Sequence, residues 1–148
     1  PNTHFVVVGH QRPALFEKLK AQIRGAPEAP RIHWLGFRQD VVNVLRQADI
    51  FLLPSTSEGF SISTVEAMMA GVPVIATRSG GPEEIVSYGE SGLLVPIEDS
   101  DAIVNAIQRL NDPTLKQQIT EQALESAKSK FSLKSMLHAY QGLYERFM

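Results

Sequence analysis

Five short apolar runs alternate along this chain with stretches of helical periodicity, and that alternation limits the fold more than any other feature. The runs are "FVVVG" (5–9), "IHWLG" (32–36), "DIFLLP" (49–54), "GVPVIAT" (71–77) and "SGLLVP" (91–96). They lack polar alternation, which predicts strands buried on both faces. Between the first two, "ALFEKLKAQI" (14–23) repeats apolar side chains at Leu15, Phe16, Leu19 and Ile23, the spacing of a helix. "DVVNVLRQA" predicts a short helix with Asp40 as its cap. Another helix is predicted over 61–70, and "GGPEEIVSYG" predicts a turn and a short helix. Three helical stretches close the chain, at 99–110, 113–130 and 133–147. Strands alternating with helices imply a doubly wound parallel α/β sheet.

The 148 residues suit one domain, and a chain of that length buries roughly 70% of its unfolded surface. Fourteen basic and 16 acidic residues give a net charge of -2, which does not fit an electrostatic nucleic-acid binder. Cysteine is absent, so disulfides and thiolate metal sites are excluded. The four histidines, His4, His10, His33 and His138, have no metal-ligand spacing. No apolar run approaches the roughly 20 residues of a membrane-spanning helix.

In doubly wound sheets ligands bind beyond the carboxyl ends of the strands. That singles out the loops after Gly9, Gly36, Pro54 and Thr77. The loop after Pro54 opens "SEGFSISTVEAMMAGVPVIAT" (57–77), a small and apolar stretch that holds two carboxylates, Glu58 and Glu66. With a helix starting near Ser61, Glu66 lies about 7 Å along its axis. Glu58 lies in the loop before it, so the two acids bracket the helix N-terminus. Unpaired amides and about half a positive charge at that end suit a phosphate. Gly59 removes a side chain where a ligand would approach the backbone.

A ligand with a diphosphate between two hydroxyl-rich sugars matches this pattern. The amides of Phe60, Ser61 and Ile62 could hold the phosphates. Ionised carboxylates only accept hydrogen bonds, so Glu66 could take a ribose diol and Glu58 the hydroxyls of a transferred sugar. The alternative stays open on residues alone: an exposed loop acid at Glu58 that favours the helix start, and Glu66 on a solvent face.

The signature resembles that of the family-4 retaining glycosyltransferases, which have the GT-B fold. The resemblance rests on Glu-Gly-Phe-Ser, a second glutamate eight positions on, and Ala-Met-Met-Ala-Gly-Val-Pro-Val-Ile-Ala. In order around it stand "VVVGH", "IHWLGF", "ADIFLLPS", "SGGPEEIV" and "ESGLLVP". The resemblance covers nearly the whole chain. It implies one Rossmann-like half of a two-domain enzyme, the C-terminal half that binds a nucleoside-diphosphate sugar. It implies Glu66 on the ribose, Glu58 near the reacting end of the donor sugar, and Gly59 to Ile62 on phosphates and sugar. Gly36, Phe37 and Arg38 would border the base. Ser61 stands where many members have glycine. Gly80 and Gly81 are expected to form a structural turn, and His10 to be an exposed loop histidine.

The family's donor domain usually begins with a further strand and a loop whose arginine and lysine neutralise the diphosphate. The expectation is therefore a fragment, lacking that strand and the N-terminal domain that binds most of the acceptor, whether glycan, lipid or small molecule. The implied reaction is retaining transfer of a hexosyl group to an acceptor hydroxyl, with no activity in the fragment alone. No metal or other cofactor is expected. The expected location is cytoplasmic, the full-length protein at most peripheral to a membrane. A nucleotide-sugar epimerase of the same fold and a non-catalytic donor-binding module remain alternatives. The last helix carries a stripe of Met136, Leu137, Tyr140, Leu143, Tyr144 and Phe147, expected to pack on its own domain or on the absent one.

Overall fold

The computed structural model describes residues 3–147. These divide into two units, the first running to Val41 and the second starting at Val42. In the first, β1 (Phe5–Val8) and β2 (Ile32–Gly36) pair in parallel, Phe5 opposite Ile32 and Val7 opposite Trp34. Helix α1 (Pro13–Ile23) connects them, with Pro13 at its first turn, where the missing amide leaves no bond unmade. Phe16 on α1 meets the edge of the Trp34 ring at 5.1 Å. That contact covers one face of β2.

Burial on both faces does not hold for these two strands. Phe5, Val6 and Val7 are all more than 40% exposed within this structure. Along β2 the half-buried Ile32, Trp34 and Gly36 alternate with exposed His33 and Leu35. Two strands, one eleven-residue helix and a three-residue 3-10 turn make only two layers, so among the described residues of this unit one face of the pair has nothing against it. A continuous apolar run marks a strand; whether both faces are covered depends on what packs there.

In the second unit β3 (Phe51–Leu53), β4 (Val74–Thr77) and β5 (Leu93–Val95) form a parallel sheet in the order 3-4-5. Here the expectation of two covered faces is met: β4, the middle strand, and β5 are buried throughout. Helix α2 (Val41–Leu45) spans the change from one unit to the other. Helix α3 (Ile62–Met69) links β3 to β4, and the short α4 (Gly81–Ile85) follows β4. Helices α5 (Ser100–Arg109), α6 (Pro113–Lys130) and α7 (Leu133–Glu145) close the chain. Asp99 caps α5 through the Ala102 amide, Asp112 caps α6 through those of Thr114 and Leu115, and Ser132 caps α7 through that of Ser135.

The core joins Ile75, Leu93 and Val95 from the sheet to Ala106 and Leu110 at α5 and Ile119 from α6. A ridge of Ile119, Ala123 and Ala127, spaced by four and fully buried, runs along α6, which packs against α3. Thr64, Ala67 and Met68 are the buried residues of α3. Helix α7 does not pack its stripe on its own unit, which leaves the absent domain as the other expected cover. None of its residues is buried, and its stripe from Met136 to Tyr144 stays about half exposed or more within this unit. The chain leaves α6 at Phe131, and beyond that point α7 touches chiefly α6.

Two backbone positions around α3 decide its placement. Ser61 precedes it at φ +62°, a left-handed conformation that costs a residue with a Cβ about 1–2 kcal/mol. Gly81 lies so close to the loop before α3 that a Cβ there would fall 1.5 Å from the Gly59 carbonyl oxygen. Gly81→Ala is therefore expected to be strongly destabilising, beyond the ~1–3 kcal/mol of ordinary overpacking, read from the urea midpoint. At Ser61, alanine and glycine both remove the hydroxyl and differ only in backbone freedom. Ser61→Gly should exceed Ser61→Ala in stability by about 1 kcal/mol; equal midpoints would contradict the left-handed assignment.

Candidate functional site

The loops after β3 and β4 are stitched together before either supplies a side chain to a ligand. The Thr77 hydroxyl, at the carboxyl end of β4, donates to the Ser55 carbonyl. The Glu58 amide donates to the Ser79 carbonyl at 2.8 Å, and the Gly81 amide donates back to the Glu58 carbonyl at 3.3 Å. A parallel bridge between Glu58 and Gly80 results. Gly80 and Gly81 thus form the structural turn expected of them, and the close approach to Gly59 is what requires the second glycine.

Glu58 is half-buried, and its Oε1 accepts from the Ser55 hydroxyl at 2.7 Å. That bond fixes the side chain while leaving the second oxygen without a donor among the described residues. Glu66 is also half-buried, one turn into α3, and its carboxylate has no hydrogen-bond partner among the described residues. Neither acid is paired with a cation there. Glu66 shares its helix face with Ile62 and Met69, both exposed, rather than with the buried Thr64, Ala67 and Met68. The carboxylate therefore sits in an apolar, accessible stripe.

Between the two acids lies a row of amides. Those of Gly59, Phe60, Ser61, Ile62 and Ser63 donate to no protein group among the described residues. Those from Ser61 on are inherent to a helix start and carry its positive end charge, while Gly59 and Phe60 belong to the loop before it. The Ser61 side chain does not cap the helix, and its hydroxyl pairs with that of Thr64 at 2.8 Å instead. The row is therefore left open.

Gly36, Phe37 and Arg38 belong to the first unit, at the carboxyl end of β2. Gly36 has φ +66° and accepts from the Gly9 amide at 2.9 Å. Phe37 is exposed and stacks on the His10 ring at 4.5 Å, with the planes 17° apart. His10 is exposed, as expected. Arg38 donates from Nε and Nη2 to the two oxygens of Asp40 at 2.8 and 2.7 Å. Asp40 thus engages an arginine rather than serving as the plain helix cap the sequence suggested. Hydrogen bonding from the guanidinium holds its carboxyl below the usual carboxylate range and raises Arg38. The pair is exposed, so it orients Arg38 more than it stabilises the fold.

Sequence reasoning missed Ser55 and Thr77. Nothing in their spacing marks them, because they stand 22 positions apart and only the sheet brings them together. Among the described residues no group of three or more His, Asp or Glu side chains could hold a metal ion, and no helix is long and apolar enough to cross a membrane.

The fold is shared with known proteins. The family model for group 1 glycosyl transferases matches residues 1–112. The N-acetyl-alpha-D-glucosaminyl L-malate synthase of Bacillus anthracis is 35% identical over 115 residues, which are 77% of this chain and 30% of that protein. Anabaena HepE, solved with UDP and with UDP-glucose, superposes with TM-scores of 0.90 and 0.89 at 27% and 28% identity, over 98% of this chain and 42% of HepE. The C-terminal domain of a group 1 glycosyl transferase, LpcC of Francisella tularensis, superposes at 0.79 with 27% identity, over 88% of this chain and 70% of that one. The chain thus spans well under half of the synthase and of HepE. With its parallel α/β architecture and the signature from Glu58 to Glu66, the chain belongs to the group 1 glycosyl transferases and has the GT-B fold of their C-terminal domain.

Proposed function

We propose that this chain is the donor-binding half of a retaining hexosyltransferase, which takes a sugar from a nucleoside diphosphate and passes it to an acceptor hydroxyl. The observation that carries the reading is the pair of half-buried, cation-free carboxylates flanking an open row of helix N-terminal amides. HepE, solved with UDP-glucose at 28% identity, supports the choice of a nucleotide sugar.

In this reading the amides of Phe60, Ser61 and Ile62, with Gly59 beside them, take the diphosphate. Glu66 accepts from the ribose diol. Glu58, held through one oxygen by Ser55, turns the other toward the hydroxyls of the donor sugar. As the glycosidic bond breaks, the sugar gains oxocarbenium character and the diphosphate gains negative charge. The helix end stabilises the leaving group by fixed dipoles that need no reorganisation. The Glu58 carboxylate orients the sugar and favours its developing positive charge. No covalent intermediate on Glu58 is invoked. The acceptor is bound mainly by the part of the enzyme outside this chain, so the chain alone binds donor and transfers nothing.

Calorimetric titration with UDP and UDP-glucose separates the two acids. Loss of one charged hydrogen-bond acceptor is worth about 1.5–3 kcal/mol, roughly 10- to 150-fold in affinity. Glu66→Gln should weaken both ligands alike, because both carry the ribose. Glu58→Gln should weaken UDP-glucose and spare UDP. Wild-type affinity for both ligands in the Glu66 variant, or transfer to an acceptor by this chain alone, would contradict the reading.

A further inference from the structure

The amides assigned to the diphosphate are not themselves tied down by backbone bonds. Up to Glu58 the loop is held by hydrogen bonds to Ser79 and Gly81. Beyond it, the amides from Gly59 to Ser63 have no partner among the described residues, and Ser61 sits in a conformation that serine disfavours. From Ser61 on the backbone is held through its carbonyls, that of Ser61 accepting from the Thr64 amide at 3.1 Å, so it is Gly59 and Phe60 that packing must hold at one place.

The ring of Phe60 supplies the contact. Its centroid lies 5.6 Å from that of Phe131 at an interplanar angle of 68°, an edge-to-face pair. Phe131 follows Ile119, Ala123 and Ala127 at the same spacing of four, so it extends the buried ridge of α6 one step past the helix end. Its own position is firmly set. Its amide bonds the Ala127 carbonyl at 2.9 Å. On its other side a closed set of serine hydroxyls locks the turn into α7. Ser135 Oγ donates to the Ser129 carbonyl, which leaves the Ser132 hydroxyl to donate to Ser135 Oγ at 2.8 Å. Ser132 Oγ in turn accepts from the Ser135 amide at 3.2 Å.

We infer that Phe131 is a positioning residue for the donor loop: its ring braces Phe60, and through Phe60 it sets where the amides of 59–62 point. This rests on the function proposed above and deepens it, because the α6–α7 turn becomes part of the donor site without touching the donor. The serine lock makes the brace rigid, and the α6 ridge, packed on α3, carries that rigidity to the helix start.

The test uses the 148-residue chain without ligand and with UDP-glucose. Nitrogen-15 relaxation is measured at the amides of 59–62 in wild type, Phe131→Ala, Phe131→Leu and Phe131→Tyr. Order parameters should fall from the rigid value of about 0.85 toward 0.6 in the alanine and leucine variants, and stay high with tyrosine, which keeps the ring. UDP-glucose affinity should fall about two- to tenfold in the first two and recover in the third, the worth of one aromatic pair. The leucine variant keeps apolar bulk at the turn, so it reports on the ring even if alanine loosens the fold. Wild-type order and affinity in both ring-free variants would overturn the inference. A loosened loop in those variants, with no binding of UDP-glucose by the wild type, would instead overturn the donor reading and leave the brace standing.

Discussion

The contact on which the rest of the second unit depends is the near-collision of Gly81 with the Gly59 carbonyl. Two loops at the carboxyl ends of adjacent parallel strands are drawn together until only glycine fits between them. The bonds from Glu58 to Ser79 and from Gly81 to Glu58 hold that approach, and Thr77 reaches back from β4 to Ser55. The geometry of the candidate site follows. Glu58 has Ser55 on its carboxylate, the chain enters α3 through a left-handed Ser61, and the amides of the helix start are left without a protein partner among the described residues.

The same constraint explains how polarity is distributed. The hydroxyls of Ser61 and Thr77 are satisfied locally, the first by Thr64 and the second by a backbone carbonyl, so they compete neither for the amides nor for the acids. The two carboxylates are left with unused acceptor capacity and no paired cation in the described structure. A half-buried acid with no partner is costly for a fold, and tolerable where a donor-rich ligand completes it. Helix α6 adds the remaining order, with fully buried alanines at 123 and 127 where α3 must lie close.

Much of this was readable in advance, for an identifiable reason. Strand and helix identity follow from local periodicity, and the bounds of β2 and α6 coincide with the residues that the sequence marks. The parallel architecture and the family were readable because the apolar runs and the glutamate signature are contiguous. Exposure was not. Val6 and Ile75 look alike in sequence, each a β-branched residue inside an apolar run. Yet Val6 is half exposed on a two-stranded pair and Ile75 is fully buried in the middle of a covered sheet. The stripe of α7 has the pattern of a packed helix, but periodicity records which face is apolar and not whether a partner is against it.

The amino-acid sequence by itself determined the order of strands and helices, the parallel sense of the sheets, the family, and the two acids on either side of a helix start. Those depend on near neighbours along the chain. Only the tertiary structure decided that Gly81 must lack a side chain, that Ser55 orients Glu58, that Asp40 turns to Arg38, and that Phe131 touches Phe60. Each of these joins residues whose meeting is set by packing, and packing is a property of the surfaces that the folded elements present to one another.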